Sequence, residues 1–325
     1  MNEADILLIM KIVIPGGTGQ VGTVLARSFQ KDGHEVVVLS RSAKKEDWKT
    51  VDWDAKTLGG WASEIDGADM VINLAGRNVN CRYTPENRRE IMDSRVNSTR
   101  VVGEAISKAK NPPRVWLQMS TATIYSHRFD APNDDVTGII GGNEPDVPRS
   151  WDFSIEVARN WEKAQTACIT PATRQVQMRT TLVLSPERGG IFDTLLGLVK
   201  KGLGGTAGSG RQYISWIHEQ DFIRSVNFLI EQEDISGPIN LAAPNPLPNA
   251  EFMRVLRKAY GTSIGLPAAE WMLALGALLM QSETELILKS RRVVPTLLLK
   301  HGFTFDFPNW EKAAKDLCAK WRELN

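Results

Sequence analysis

The feature that most constrains this chain is a glycine-rich turn between two short apolar runs near its start. Lys11–Ile14 has the length and composition of a buried parallel strand, and Glu35–Leu39 is a second run of the same kind. Between them, Gly16–Gly22 reads GGTGQVG, and apolar residues then recur at helical spacing up to Gly33. The segment therefore predicts a strand–helix–strand unit, whose crossover we expect to be right-handed.

Three of the four glycines of this turn have predicted roles in binding a dinucleotide. Gly16 allows the chain to turn out of the strand, Gly19 lets the backbone approach a pyrophosphate, and Gly22 lets the helix pack closely on the strand. The helix N-terminus offers free N–H groups and the positive end of its dipole to phosphates. The alternative is an ordinary glycine-rich turn of an α/β protein.

The end of the second strand indicates which dinucleotide is bound. An NAD site usually carries Asp or Glu here for the ribose 2′-hydroxyl, whereas this chain has Ser40-Arg41 followed by Lys44-Lys45. A hydroxyl and a guanidinium suit a 2′-phosphate, and one charge-assisted contact contributes about 1.5–3 kcal/mol. We therefore expect NADP(H); the alternative is that Arg41 and the lysines form a solvated loop.

Composition excludes several other classes of function. The 325 residues are 42% hydrophobic, enough for a sizeable core, and the formal net charge of +1 points to neither nucleic acid nor an anionic membrane. Three cysteines without C-x-x-C spacing and four scattered histidines indicate reduced thiols and no metal centre. The longest apolar stretch, Trp271–Met280, is half the ~20 residues of a spanning helix. We expect a cytoplasmic protein with a small-molecule substrate.

The rest of the chain continues the alternation of strands and helices. A run of hydroxyls, Ser120–Tyr125, follows the fifth strand, where it could polarise a substrate carbonyl or simply satisfy the strand end. The stripe Trp271, Leu275, Leu278 and Leu279 predicts core or homodimer contacts. Further strands are predicted over 51–54, 69–73, 114–119, 174–184 and 238–242, a loop over 126–150, and helices over 58–65, 84–108, 151–168, 219–230, 250–260, 268–280, 283–292 and 310–324.

These motifs, taken together, resemble an extended short-chain dehydrogenase/reductase of the NAD-dependent epimerase/dehydratase superfamily that ends in a helical domain of unknown function. Besides GGTGQVG, the matching pieces are NLAG at 73–76, DSRVNSTR at 93–100, STATIY at 120–125, GSGRQYISWIH at 208–218 and GPINLAAPNPLPNAEF at 237–252. The resemblance implies an α/β fold, a Rossmann-type doubly wound parallel sheet with a smaller helical C-terminal lobe. It divides the chain into 10–245, the NADP-binding domain, and 246–325, the lobe.

The resemblance also implies roles for single residues. It places Ser40 and Arg41 at the 2′-phosphate and Arg95 near the cofactor. Thr121 occupies the position of the catalytic Ser/Thr, while Arg211 is a substrate-binding residue or a solvated loop charge. The residues that the resemblance places on the pyrophosphate are Gly16, Thr18, Gly19, Gln20 and Val21. Those that it places beside the adenosine ribose and pyrophosphate are Leu74, Ala75 and Gly76.

One departure from the family pattern leaves two functions open. Active relatives carry Tyr-x-x-x-Lys after the fifth strand, where the lysine lowers the tyrosine pKa for acid/base work. Here Ser154 and Ala158 stand at those positions, and none of the four tyrosines is followed by lysine four residues later. Either the protein is an NADP(H)-dependent oxidoreductase or epimerase acting on a small carbonyl or sugar-type substrate, or it is a non-catalytic NADP(H)-binding sensor. The substitute groups would be Thr121 and Tyr125, with Arg159 and Lys163 on the helix.

Overall fold

The structure, a computed structural model, describes residues 9–42, 46–145, 147–269 and 283–324. Two predictions fall wholly or mainly outside these residues: the loop lysines Lys44 and Lys45, and the helix over 268–280 with its apolar stripe. Among the described helices, none combines the length and the apolar character that crossing a bilayer requires.

A seven-stranded parallel sheet forms the centre of the fold, as predicted. Its order is β10-β6-β5-β4-β1-β2-β3, so the chain winds outward in one direction from β1 to β3 and then in the other from β4. That reversal beside β1 is the Rossmann-type switch point, where ligands bind outside the carboxyl ends of the strands. The strands are β1 (Lys11–Pro15), β2 (Glu35–Ser40), β3 (Lys49–Asp52), β4 (Met70–Asn73), β5 (Val115–Thr121), β6 (Arg174–Thr180) and β10 (Gly237–Leu241).

The predicted helices that lie in the described residues appear in the expected order, and two of them differ locally from the prediction. The helix predicted over 58–65 is a 3-10 turn, Gly60–Glu64, because the pair Gly59-Gly60 is a poor helix former. The helix predicted over 283–292 ends at Leu288, since the backbone N–H of Arg291 bonds the carbonyl of Tyr213 instead. The α-helices are α1 (Gln20–Lys31), α2 (Pro85–Lys108), α3 (Asp152–Thr166), α4 (Ile191–Lys200), α5 (Glu219–Glu231), α6 (Asn249–Tyr260), α7 (Glu285–Leu288), α8 (Thr296–Lys300) and α9 (Trp310–Leu324).

The single strand predicted over 174–184 was wrong, because the chain changes partners at Thr181. The N–H and hydroxyl of Thr181 both bond the carbonyl of Leu241, and β7 (Leu182–Leu184) then pairs in parallel with β9 (Trp216–His218) in a separate two-stranded sheet. A second small sheet joins β8 (Tyr213–Ile214) to β11 (Leu247–Pro248). The helix α4, which follows β7, was not predicted.

Two compact units make up the chain, and each contains segments distant in sequence. The first unit holds Met1–Arg77, Asp93–Met119 and Trp161–Gln177, and its core lies between β1, β2, β4 and α2. The second holds Asn78–Met92, Ser120–Asn160 and Met178–Asn325. The predicted division at residue 245 stays a prediction.

The core of the second unit depends on the C-terminal helix. The ring of Trp310, in α9, stacks on Phe252 of α6 with centroids 4.1 Å apart, and its indole N–H donates to the Phe252 carbonyl. Leu184, Phe192 and Trp216 complete the same buried cluster. The helical C-terminal region is therefore part of this unit's core.

Candidate functional site

The glycine turn is built so tightly that a Cβ would overlap backbone atoms at Gly16 and Gly22 and would be crowded at Gly17. Gly16 has φ +76°, and a Cβ there would lie 2.6 Å from the Cα of Ala75. A Cβ on Gly17 would touch Ile14 and Val38 at 3.0 Å, and one on Gly22 would overlap the backbone of Gly17. Gly22 thus packs α1 against the turn, which accounts for the close helix packing predicted for it.

Gly19 differs from the other three because nothing lies within 4 Å of its Cβ position. It is the N-cap of α1, has an extended backbone and provides no side-chain cap, and the first turn of α1 contains no acidic residue. The first N–H groups of α1 are consequently left for a ligand, with the positive end of the helix dipole behind them. This arrangement fits a pyrophosphate.

The side chain of Gln20 also fits a ligand at this turn. Its amide nitrogen is buried and has no hydrogen-bond partner among the described residues. A buried amide of this kind costs about 1–3 kcal/mol unless it is paired. Thr18 and Val21, on either side of this part of the turn, are half-buried.

A hydrogen-bonded pair fixes the predicted ribose-side segment at the end of β4. Asn73 is fully buried; its amide donates to Gln118 Oε1 at 2.9 Å, and its Oδ1 accepts from the N–H of Ala75 at 3.1 Å. The chain is thereby held in place from Leu74 through Gly76. Gly76 is exposed, so its backbone is open to a ligand.

Arg95 lies beside this segment. Its Cζ would be 3.1 Å from a Cβ on Gly76, and its guanidinium lies over the indole of Trp161, 4.9 Å from the ring centroid. A cation held over an aromatic face keeps a fixed orientation. The first unit therefore contains the predicted pyrophosphate, ribose and Arg95 positions together.

The two residues predicted for the 2′-phosphate have different environments. The Ser40 hydroxyl is buried, donates to the Ser42 carbonyl at 2.9 Å and accepts from the Ser42 N–H, so it stabilises the turn after β2. The Arg41 side chain is exposed. Its guanidinium is accessible to a phosphate, but its contact with one stays a prediction.

In the second unit, Thr121 and Tyr125 lie at either end of a 3-10 turn, Ala122–Ile124. Thr121 Oγ1 accepts from the N–H of Thr123 at 3.2 Å, so the hydroxyl caps this turn and keeps its own proton for another acceptor. Tyr125 is buried; its hydroxyl donates to Asn240 Oδ1 at 2.9 Å and accepts from Arg179 at 3.0 Å. Burial raises the pKa of the Tyr125 hydroxyl despite Arg179. Catalytic roles for both residues stay predictions.

The remaining predicted polar residues are scattered over exposed positions. Arg159 donates to the Gly141 carbonyl at 2.9 Å, which orders part of the loop predicted over 126–150, while Lys163 is exposed. Arg211 is also exposed, with its Cζ 5.9 Å from the ring centroid of Phe129. Across the described residues, no three His, Cys, Asp or Glu side chains are grouped as a metal ion would need.

Ser154, at the position of the family tyrosine, belongs to a polar cluster that the sequence did not reveal. Its hydroxyl donates to Glu285 Oε2 at 2.6 Å, and Lys289 lies on the other side of that carboxylate. Ala158, at the lysine position, is buried and apolar. The only sequence signal for this cluster was the Glu285/Lys289 spacing of four residues.

Comparisons with known proteins agree with this geometry. Residues 12–242 match the NAD dependent epimerase/dehydratase family, and residues 268–317 match a domain of unknown function, DUF1731. The epimerase family protein YfhF of Bacillus subtilis is 32% identical over 315 residues, which span 95% of this chain and 98% of the relative. The human epimerase family protein SDR39U1 is 30% identical over 315 residues, 95% of this chain and all of that protein.

A solved structure shows the same relationship in three dimensions. The crystal structure of human SDR39U1, isoform 2, with NADPH superposes with a TM-score of 0.83 at 28% identity, covering 95% of this chain and 99% of that one. The family match covers the Rossmann-type sheet from the second residue of β1 to the end of β10. The chain belongs to the NAD dependent epimerase/dehydratase family.

Proposed function

We propose that this protein binds NADP(H) on the glycine turn and acts as an oxidoreductase or epimerase on a small carbonyl or sugar-type substrate. The observation that supports cofactor binding is the uncapped N-terminus of α1, which is open at Gly19 and has no acidic side chain in its first turn. The unpaired amide of Gln20 supports the same conclusion. Gly16–Val21 would hold the pyrophosphate, and Leu74–Gly76 with Arg95 would hold the adjoining ribose.

The preference for NADP(H) rests on Arg41. No acidic side chain stands at the end of β2 to accept from a ribose 2′-hydroxyl, and the Arg41 guanidinium is exposed. The human relative SDR39U1 was solved with NADPH, which supports the same choice. The Ser40 hydroxyl, engaged by Ser42, would position the loop that carries Arg41.

The reaction class follows from what each part could supply. Bound NADPH is a hydride donor. On the protein side, the Thr121 hydroxyl keeps a proton that could be donated to a carbonyl oxygen, because it serves only as an acceptor in its own turn. Such a hydrogen bond would polarise the carbonyl for reduction.

One observation favours a second function, a non-catalytic NADP(H) sensor. Ser154 and Ala158 replace the Tyr and Lys of active relatives, and loss of general acid/base catalysis costs about 10²–10⁴ in rate. A protein with the cofactor site but without catalytic groups would bind NADP(H) without turnover. Once NADPH is bound, the enzyme would turn over a substrate, whereas the sensor would not.

Calorimetric titration with NADPH and NADH tests the cofactor, and NADPH consumption against aldehydes, ketones and nucleotide sugars tests the reaction. We expect NADPH to bind more tightly than NADH, and one of these substrate classes to be turned over. Equal affinities would contradict the NADP(H) assignment. Tight NADPH binding without turnover on any class would favour the sensor.

A further inference from the structure

Two polar side chains lie opposite each other inside the central sheet of the first unit. Asn73, the last residue of β4, and Gln118 of β5 are partners in the register of these parallel strands, and both are fully buried. Strands of a parallel sheet are usually continuous apolar runs, because both faces are covered. Residues 70–72 and 115–117 follow that pattern, being buried and apolar. The amide pair therefore interrupts both runs at the same level of the sheet.

The hydrogen bonds of Gln118 give this pair a single direction. The amide nitrogen of Gln118 donates to the Met119 carbonyl at 3.1 Å, so its oxygen is left to accept from Asn73 Nδ2 at 2.9 Å. Because Asn73 Nδ2 points to Gln118, Asn73 Oδ1 faces the other way and accepts the N–H of Ala75 at 3.1 Å. The orientation of Gln118 thus determines which end of the Asn73 amide meets Ala75.

Ala75 in turn lies against the first glycine of the cofactor turn. A Cβ on Gly16 would be 2.6 Å from the Cα of Ala75 and 2.7 Å from its nitrogen, so the two backbones are in direct contact. The N–H of Leu74 also donates to the carbonyl of Pro15 at 2.8 Å. A displacement of Ala75 would therefore displace Gly16 or leave a gap beside it.

Stability alone does not account for the amide pair. When both partners of a buried hydrogen bond are replaced by apolar groups of similar shape, the change in stability is often close to zero. An apolar pair at Asn73 and Gln118 would fill the core equally well. It would not bind the N–H of Ala75, so the contribution specific to the amides is the position of that residue.

We propose that Gln118 is a positioning residue for the dinucleotide, because it orients Asn73, which holds Ala75 against Gly16. The proposal rests on the cofactor binding proposed above. Gln118 is fully buried, so it acts through Asn73 and not by contact with the cofactor. The glycine motif does not include it, and no spacing in the sequence links it to the turn.

A second buried amide pair in the same unit provides a matched control. Gln165, on α3, accepts from Gln177 Nε2 and donates its own amide to the Trp116 carbonyl at 3.2 Å. It is fully buried and makes the same two kinds of hydrogen bond as Gln118. These bonds connect α3 to β5 and β6. Substitution of Gln165 therefore removes equivalent buried bonds that do not hold the glycine turn.

The first experiment compares single variants of the full chain by calorimetric titration with NADPH. We expect Gln118→Met to raise the Kd for NADPH about tenfold and Gln165→Met to change it by less than about twofold. Urea unfolding should show a similar loss of stability in both variants, since each leaves one buried amide unpaired. An equal change of Kd in the two variants would overturn the proposal. A parent protein that does not bind NADPH would instead contradict the proposed function.

Double variants separate position from stability, and they serve if a single variant with an unpaired amide fails to fold. Asn73→Leu/Gln118→Met and Gln165→Met/Gln177→Met each convert an amide pair into an apolar pair, so we expect urea midpoints close to that of the parent. The first should raise the Kd for NADPH about tenfold, and the second should leave it within about twofold. A parent-like Kd in the first double variant, or an equal rise in both, would overturn the proposal.

The variant Asn73→Leu completes a double-mutant cycle on the Kd for NADPH. If Gln118 acts through Asn73, adding Gln118→Met to Asn73→Leu should change the Kd by less than about twofold. A general structural effect of Gln118 would instead multiply the effect of Asn73→Leu. Multiplied effects would therefore show that Gln118 does not position the turn through Asn73.

Discussion

Gly22, in the first turn of α1, lies directly against Gly17, with no space for a Cβ between them. This contact sets the distance between the helix N-terminus and the strand that precedes it. The position of the proposed pyrophosphate site at Gly19 is therefore determined by a contact made three residues away.

Gly22→Ala should move α1 outward and weaken both stability and cofactor binding. The overlap involves backbone atoms of Gly17, which cannot rotate away, so we expect a loss of about 1–3 kcal/mol in the free energy of unfolding. The affinity for NADPH should fall about tenfold or more, equivalent to about 1.4 kcal/mol. Urea unfolding and calorimetry measure the two effects.

The matched control is Gly197→Ala in α4, where nothing lies within 4 Å of the Cβ position. This variant should gain about 0.5–1 kcal/mol, since alanine is the better helix former. Unchanged NADPH affinity in Gly22→Ala would contradict the role assigned to the turn.

Arg41→Asp should reverse the cofactor preference. Loss of one charge-assisted contact of about 1.5–3 kcal/mol would weaken NADPH binding by roughly ten- to a hundredfold, while NADH binding stays the same or improves. Lys110→Asp, another exposed position of the first unit with the same change in charge, should leave both affinities within twofold. An equal loss for NADPH in both variants would assign the effect to net charge and not to a 2′-phosphate contact.

His218 makes the stability of the second unit dependent on pH. Its ring is fully buried, its Nε2 lies 2.9 Å from Asp316 Oδ2, and its Nδ1 accepts from the Gln220 N–H at the start of α5. Burial lowers the pKa of His218 to about 4, although Asp316 opposes the change. In the unfolded chain the pKa of a histidine is near 6.5, so between pH 6.5 and 4 the unfolded chain binds a proton at His218 and the folded protein does not. The free energy of unfolding therefore falls as pH drops from about 6.5 toward 4.

His218→Asn removes this group while keeping a side chain that caps helices well. Between pH 7.5 and 5.0, the parent protein should lose about 2 kcal/mol more in the free energy of unfolding than the variant. Urea unfolding at the two pH values measures the difference. Parallel losses in the two proteins would show that His218 is charged in the folded state.

Tyr125→Phe separates a structural role for that residue from the catalytic role predicted from the sequence. The variant leaves Asn240 Oδ1 without its donor in a buried environment, so we expect a loss of about 1–3 kcal/mol in stability. Affinity for NADPH should not change. A fall in turnover beyond the fall in folded protein would support the predicted catalytic role.

Features that were predicted from sequence correspond to interactions between near neighbours in the chain. The unit β1–α1–β2 was predicted because its strand pattern, glycines and helix spacing all lie within thirty residues. The break at Thr181 was missed, since Arg174–Leu184 is continuously β-like and only the bond to Leu241 redirects it. The link from Ser154 to Glu285 joins residues 131 apart, and no local pattern in the sequence indicates it.

The stacking of Trp310 on Phe252 has a consequence for synthesis of the chain. The first unit is complete in sequence at Gln177, whereas the core of the second lacks the indole ring that stacks on Phe252 until residue 310 has been translated. At translation rates of roughly 5–20 residues per second, the ribosome needs about 7–27 s to cover that interval. During that time the apolar faces of α4 and α6 are uncovered on the nascent chain, which makes this interval the period when chaperones have most to protect.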